Sequence, residues 1–141
     1  MSYIAKAEIL IETTPAKVWK ALTDPEMVKQ YLFGTQMSVT EWAEGGKISY
    51  KGVWDGKEYE DKGTILVFEP EKKLVSTYWS GMSGKPDVPE NYSRVEYDLV
   101  NEGDGTKLVI TQDNNPTEES AKHSEGNWKM VLQKMKEILE K

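Results

Sequence analysis

Few residues of this chain combine the types and spacing that catalysis needs. The sequence holds one histidine, His123, and no cysteine, which excludes thiol chemistry and a multi-histidine metal site within the chain. Carboxylates group in residues 41–44 and again at Glu58, Glu60 and Asp61. Such groups perform acid–base chemistry only where burial separates their pKa values. Both lie near predicted turns, where we expect them to stay solvated, so the sequence indicates no catalytic residue, no cofactor and no metal.

His123 is the remaining candidate for proton transfer. With 3.6 residues per helical turn, it falls on the far side of a predicted C-terminal helix from Trp128. We therefore expect a surface histidine next to Met130, without a catalytic role.

The aromatic residues indicate binding rather than catalysis. The chain has five tryptophans and seven tyrosines against two phenylalanines. Tryptophan and tyrosine combine apolar bulk with one polar atom, which suits a pocket that orients a ligand. The alternative is that these side chains pack one face of a sheet and satisfy their polar atoms locally. The candidate ligand-binding residues are Met27, Tyr31, Trp42, Tyr50, Trp54, Tyr97, Ala121, Ser124 and Trp128.

A long helix over residues 115–141 is predicted to hold part of this pocket. Asn115 suits the N-cap, Pro116 the first helical position, and Glu118 the position three residues after the cap. Large apolar residues follow at spacings of three and four, which places them on one stripe that must be buried. The stripe consists of Trp128, Val131, Leu132, Met135, Ile138 and Leu139.

The same stripe carries small residues toward the start of the helix. Helical steps back from Trp128 reach Ser124, Ala121 and Thr117. Protein interiors are close-packed, so either large sheet residues or a ligand must occupy the space beside them. If a ligand does, Ala121→Leu fills a pocket at little cost in stability. If sheet residues do, the same change overpacks the site and costs about 1–3 kcal/mol.

The rest of the chain predicts a single sheet and two short helices. A strand at residues 4–12 is followed by Thr-Pro at 14–15 and Asp-Pro at 24–25, and each pair opens a short helix. From residue 35 to 111 apolar residues recur at every second position between turn signals, which predicts six more strands. The long loop 80–91 is either a lid or a solvated excursion. We predict an α+β fold, with a curved antiparallel sheet wrapped around the C-terminal helix.

Length and charge restrict the remaining classes of function. The chain has 141 residues, which fits one domain over 1–141. The net charge of −6 argues against binding nucleic acid or an anionic membrane through a basic face. No apolar run approaches the roughly 20 residues that cross a bilayer, and no secretory segment precedes the first strand. We therefore expect a cytoplasmic protein.

Three segments carry a resemblance to a known family. They are residues 18–26 (VWKALTDPE), the strand 63–70 that ends in Glu-Pro, and the helix 128–140. In this order and spacing they resemble the family named after activators of the heat-shock chaperone ATPase, within the SRPBCC (START-like, birch-allergen-like) superfamily. The resemblance implies the helix-grip fold and a cavity for apolar ligands between helix and sheet.

Three functions remain, because this superfamily hosts proteins of several classes. The first is non-catalytic binding of a small apolar or aromatic molecule between the sheet and the C-terminal helix. The second is a chaperone-ATPase-associated protein of the stress response. Family members that activate the chaperone usually carry an additional N-terminal domain, so we expect no activation by this chain alone. The third is a cyclase-like enzyme, which would bury an acid or a base in the cavity.

Overall fold

The computed structural model describes residues 3–32, 34–81 and 84–140. Within these residues the chain forms seven strands and three α-helices, in the predicted order. The strands are β1 (Tyr3–Ile11), β2 (Gln36–Val39), β3 (Lys47–Trp54), β4 (Lys57–Glu69), β5 (Lys73–Ser80), β6 (Ser93–Glu102) and β7 (Gly105–Asn115). The helices are α1 (Pro15–Thr23), α2 (Pro25–Tyr31) and α3 (Glu118–Leu139). A single 3₁₀ turn, Pro89–Asn91, precedes β6.

The strands form one antiparallel sheet in the order β1-β7-β6-β5-β4-β3-β2. From β2 to β7 each strand pairs with the next one along the chain, as short connections favour. The first strand pairs with the last, which places β1 at one edge. The sheet curves around α3, and α1 and α2 pack between the helix and the strands at one end. The predicted helix-grip fold is confirmed.

The two short helices begin as the sequence predicts. The Thr14 side chain accepts a hydrogen bond from the backbone N–H of Lys17, and the Asp24 side chain accepts one from the N–H of Glu26. A proline follows each cap, where its missing N–H removes no helical hydrogen bond. The two helices are therefore fixed by local sequence, with Asp24 ending the first and capping the second.

The predicted cap of α3 at Asn115 is wrong. Thr117 is the N-cap: its hydroxyl accepts from the N–H of Ser120, and the Ser120 hydroxyl accepts from the N–H of Thr117. Asn115 instead pairs with Tyr3 at the end of β7, and its side-chain amide donates to the Tyr3 carbonyl at 3.0 Å. Pairing with β1 thus extends the strand to Asn115, the residue at which the sequence pattern places the cap.

The apolar stripe of α3 packs on the core as predicted, although only Leu132 and Met135 are fully buried and its other members are half-buried. Leu132 and Met135 are each 1% exposed. They belong to one core with Ile11 on β1 and with Leu108 and Ile110 on β7, all of which are fully buried. Burial of a side chain of this size contributes about 1.5–3 kcal/mol. This packing fixes α3 against the β1–β7 side of the sheet.

A glycine brings β4 and β5 unusually close. A Cβ built on Gly63 would lie 1.7 Å from the carbonyl oxygen of Thr77, so any other residue here would force the strands apart. Further along the same pair, the register shifts between Ile65 and Val67. The close approach lies beside Asp61 and Tyr78, whose positions matter for the site.

Candidate ligand-binding site

A cavity of about 610 Å³ lies between the concave face of the sheet and one side of α3. Small-molecule sites usually have volumes of about 300–1,000 Å³. The cavity is lined by Leu22, Val28, Tyr31, Leu32, Thr35, Trp42, Ile48, Tyr50, Tyr59, Asp61, Leu74, Ser76, Tyr78, Val95, Tyr97, Ile110, Gln112, His123, Ser124, Asn127, Trp128, Val131 and Met135. Aliphatic and aromatic side chains dominate this surface, and a smaller set of polar groups interrupts it.

Most of the residues predicted to bind a ligand come together here. The cavity lining includes Tyr31, Trp42, Tyr50, Tyr97, Ser124 and Trp128. Two others do not line it: Met27 packs against the core from α2, and Ala121 is 5% exposed in the first turn of α3. The side chain of Trp54 lies outside the described residues. The proposed site therefore keeps six of its nine predicted members by position.

Ala121 does not line the cavity, because the cavity runs along one side of α3 and not under its N-terminal end as predicted. At 100° per residue, Ala121 lies on the same side as Glu125, Leu132 and Lys136. The Glu125 carboxylate accepts from the backbone N–H of Lys6 on β1 at 3.1 Å, and the Lys136 ammonium donates to a β1 carbonyl at 3.0 Å. This side of the helix is therefore closed against β1. The cavity side runs from residue 123 to residue 135.

Trp128 forms the centre of the helical wall. Its indole N–H donates to Oε1 of Gln112 at 2.8 Å. Its ring meets that of Tyr97 edge-on, with centroids 6.0 Å apart and planes at 89°. The polar atom of Trp128 is satisfied locally, so this residue offers a ligand a fixed apolar surface.

Two of the lining tyrosines also have their hydroxyls satisfied. Tyr31 donates to the carbonyl of Ala21 at 2.8 Å, which ties α2 to α1. The Tyr59 hydroxyl lies 2.5 Å from Oγ1 of Thr35, and the single Thr35 proton already goes to the Leu32 carbonyl, so Tyr59 is the donor. Both hydroxyls use their single proton within the protein, so they can only accept a hydrogen bond from a ligand.

The hydroxyls of Tyr50 and Tyr97 form no hydrogen bond within the described residues, and both tyrosines line the cavity. Burial, and to a smaller extent the charge of Asp61, raises the pKa of Tyr50 to about 12. Burial also raises the pKa of Tyr97 well above its ordinary value. Each is thus a neutral phenol at physiological pH that can both donate and accept.

Asp61 was predicted to lie in a solvated turn, and the predicted turn is wrong, since this half-buried residue belongs to a strand. Asp61 lies in β4, directly opposite Tyr50 on β3, and lines the cavity. The reason is the tight turn at residues 55–56, which pairs residue 54 with 57 and so brings 61 opposite 50. The Tyr78 hydroxyl donates to Oδ2 of Asp61 at 2.8 Å, and the N–H of Gly81 donates to Oδ1 at 3.1 Å.

Asp61 also changes the electrostatics of Tyr78 on the neighbouring strand. Burial is the larger cause and the negative charge of Asp61 the next, and together they hold the pKa of Tyr78 far above its usual range. Tyr78 therefore remains a hydrogen-bond donor to Asp61 at any physiological pH. The sequence did contain a signal for the position of Asp61: counting residue pairs outward from the turn at 55–56 places residue 61 opposite Tyr50.

His123 is exposed, as predicted, but it also contributes to the cavity lining, as does exposed Asn127. Both lie on the cavity side of α3, so the cavity reaches solvent beside the first half of that helix. Gln112 and Ser76 line the sheet wall and were also missed. They continue the alternation of residues that face the helix, which the sequence analysis followed only through their apolar neighbours.

The described part of the loop 80–91 is held on the convex face of the sheet. The Asp87 carboxylate pairs with the Lys62 ammonium at 2.6 Å and accepts from the Tyr92 hydroxyl at 2.5 Å. Lys62 faces away from the cavity, since the next residue to it in β4, Asp61, faces in. Residues 82 and 83 lie outside the described residues. The lid hypothesis gains no support from residues 84–91, none of which lines the cavity.

The described ranges contain no group of three or more His, Cys, Asp or Glu residues placed to hold a metal ion. Nor does any helix in them have the length and apolar character needed to cross a membrane.

Residues 12–140 match the family described as activator of Hsp90 ATPase homolog 1-like protein. The chain belongs to this family. It is 46% identical to the protein ChR145 from Cytophaga hutchinsonii, whose solution structure superposes with a TM-score of 0.85 over 98% of this chain and 94% of that one. No curated protein matches the chain.

More distant structures share the fold alone. The Aha1 dimer from Colwellia psychrerythraea is 20% identical, with a TM-score of 0.74 over 98% of this chain and 96% of that one. DynU16, a putative protein in the dynemicin biosynthetic locus, is 18% identical, with a TM-score of 0.78 over 97% of this chain and 47% of that one. In this member of the Hsp90 ATPase activator-like family, the segments that carried the resemblance build the fold: Gly63 allows β4 and β5 to approach, and Trp128 forms the helical wall.

Proposed function

We propose that the protein binds a small apolar or aromatic molecule, without covalent chemistry, in the cavity between the sheet and α3. The observation that carries this is the pair of hydroxyls on Tyr50 and Tyr97, which face a cavity of about 610 Å³ and have no partner among the described residues. No buried side-chain polar atom of the described residues lacks a partner, so these two unpaired hydroxyls are accessible from the cavity. Hydroxyls left open toward an apolar space are those that a ligand can orient against.

The helical wall supports the same function. Trp128 is held by Gln112 and by the ring of Tyr97, so a ligand meets a surface that needs no reorganisation. Preorganised surfaces bind more tightly because less conformational freedom is lost on binding. Trp42 adds a second aromatic wall, packed against Phe68 with ring centroids 6.0 Å apart.

Native mass spectrometry of freshly purified protein tests whether a small molecule is retained. In parallel, tryptophan fluorescence is titrated with planar aromatic compounds, because Trp42 and Trp128 line the cavity. We expect saturable binding of one molecule per chain. A bare protein mass together with no saturable binding by any compound up to millimolar concentration would contradict the proposal.

A second candidate is association with a chaperone ATPase, which the description of the family favours. The test adds the protein to a purified chaperone of this class and measures ATP turnover. Stimulation of several-fold at micromolar protein would place this candidate above ligand binding. We expect turnover to remain unchanged.

The third candidate, a cyclase-like enzyme, has one observation in its favour that the sequence did not offer. Asp61 provides a carboxylate in the cavity wall, where a general base could act. Incubation of any bound compound with the protein, followed by mass analysis, distinguishes a binder from an enzyme. A binder returns the compound unchanged, and we expect that result.

A further inference from the structure

One charged group faces the cavity from the middle of the sheet. Among the described residues, Asp61 is the only carboxylate in the lining, and no lysine or arginine contributes to it. Asp61 sits between Tyr50 on β3 and Tyr78 on β5, one on each neighbouring strand. The negative charge of Asp61 thus lies between two tyrosines in the cavity wall and faces a largely apolar cavity.

The carboxylate of Asp61 can accept more hydrogen bonds than the described residues donate to it. Two carboxylate oxygens offer about four acceptor positions. Within the described part of the chain, Tyr78 fills one position on Oδ2 and the N–H of Gly81 fills one on Oδ1. The remaining positions are open to a ligand, and the nearby hydroxyl of Tyr50 can accept a further hydrogen bond.

Within the described ranges, no lysine or arginine lines the cavity to compensate the charge of this carboxylate. None of the ion pairs formed by the described residues includes Asp61; the nearest basic residue in sequence, Lys62, points to the convex face and pairs with Asp87. A carboxylate in a largely apolar cavity wall is less well solvated than one at the protein surface, and a cation or several donors can compensate its charge. Neutral donors supply part of that compensation here, and a cation supplied by a ligand would complete it.

We propose that the ligand is an amine: an aromatic or apolar molecule whose protonated nitrogen binds Asp61 between Tyr50 and Tyr78. This inference rests on the proposed function and adds the chemical class of the ligand. The ammonium of the ligand donates to the carboxylate of Asp61. Because both groups are charged, this hydrogen bond is stronger than one between neutral partners. The apolar part of the ligand lies against Trp128 and Tyr97.

The experiment compares three probes that share one aromatic body. Naphthylmethylamine is cationic at pH about 7, naphthylmethanol is a neutral donor, and methylnaphthalene has no polar group. Isothermal titration measures the affinity of each for the parent protein and for Asp61→Asn, which keeps the shape of the side chain and removes its charge. We expect the amine to bind at least about tenfold more tightly than either neutral probe, and Asp61→Asn to remove that advantage.

Glu60→Gln is the matched control. It makes the same change of charge on the neighbouring residue of β4, whose carboxylate faces the convex side and contacts Ser49 and Lys51. We expect this variant to bind the amine like the parent protein. If Asp61→Asn does not fold, Asp61→Ser takes its place, since it also removes the charge but leaves a smaller polar side chain opposite Tyr50. We expect Asp61→Ser to remove the advantage of the amine over the two neutral probes, and an amine advantage that persists in it overturns the amine class.

The outcomes separate the ligand class from the proposed function. Tight binding of the amine that Asp61→Asn abolishes and Glu60→Gln preserves supports both. Binding of all three probes with similar affinity, or an amine affinity that Asp61→Asn leaves unchanged, overturns the amine class and leaves cavity binding standing. Failure of every probe, together with a bare native mass, overturns the proposed function and the ligand class with it.

Discussion

The two sides of α3 have opposite roles in the same molecule. The side that carries Ala121, Leu132 and Lys136 is closed against β1, by apolar packing and by bonds to the β1 backbone. The side that carries Ser124, Val131 and Met135 faces the cavity. Residue size does not separate them, because small and large residues occur on both. What separates them is what each side meets, since one packs on β1 and the other faces the open space over the curved sheet.

The largest effect is expected at high pH, on the cavity side. Burial raises the pKa of Tyr31, Tyr50, Tyr78 and Tyr97. In the unfolded chain a tyrosine loses its proton near pH 10, whereas the folded state still holds it. Stability is therefore complete below about pH 10 and falls above it, by about 1.4 kcal/mol per pH unit for each such tyrosine.

Denaturant unfolding between about pH 8 and about pH 11 measures this decline. Tyr50→Phe is the comparison, because it removes one of the tyrosines whose pKa differs between the folded and unfolded states. Tyr50 lowers the free energy of unfolding only between about pH 10 and about pH 12, so the variant should lose less stability than the parent protein in that range. A parent protein whose unfolding free energy stays constant up to pH 11 would show that the cavity tyrosines are not buried as described.

Adjacent residues of α3 give the next comparison. Leu132 is 1% exposed on the closed side, and Val131 is half-buried at the cavity wall. Leu132→Ala should cost about 2–5 kcal/mol, because it leaves a void in close-packed surroundings. Val131→Ala should cost only about 1 kcal/mol, since it widens a space that is already open. Thermal melts of both variants check this difference, and equal losses of stability would contradict the division of the helix into two sides.

The fold could be predicted from the sequence because its signals are local. Thr14-Pro15 and Asp24-Pro25 place the caps of two helices, and the alternation of apolar residues places the strands. The start of α3 was mispredicted because Asn115 is an equally good cap by type. Only the pairing of β7 with β1 assigns it to the strand, and pairing over more than a hundred residues has no local signal.

The cavity could be predicted in composition but not in position. The aromatic members were found, because tryptophan and tyrosine are recognisable by type. Ala121 was misplaced because the apolar stripe covers about half of the helix surface and so includes both the side that packs on β1 and the side that faces the cavity. Only the tertiary contacts with β1 distinguish these two sides. Asp61 was missed because carboxylates were grouped by neighbourhood along the chain. The register across the turn at 55–56 places Asp61 opposite Tyr50 instead.

A pair of substitutions to leucine sharpens the comparison of the two sides. Ala121→Leu is expected to overpack the closed side and to cost about 1–3 kcal/mol without affecting a ligand. Ser124→Leu extends into the cavity, so it should weaken binding of an aromatic probe. Its cost in stability should be about 1 kcal/mol, from the lost hydrogen bond that Ser124 donates to Oδ1 of Asn115 at 3.2 Å. Melting curves and fluorescence titrations of both variants measure the two effects. A loss of binding in Ala121→Leu but not in Ser124→Leu would reverse the assignment of the sides.

The smallest effect is expected at Trp128, in the wall between the two regions. Trp128→Phe keeps an aromatic ring against Tyr97 and removes the hydrogen bond to Gln112, whose amide oxygen would then turn toward the cavity. The loss of one such bond should cost about 0.5–1.5 kcal/mol. Because the freed oxygen of Gln112 can be hydrated from the cavity, we expect a value at the lower end. Gln112→Leu is the matched variant, since it strands the indole N–H behind an apolar side chain and should cost more. Denaturant unfolding of the two variants measures the difference, and a larger cost for Trp128→Phe than for Gln112→Leu would indicate that the Trp128 indole is needed for packing rather than for its hydrogen bond.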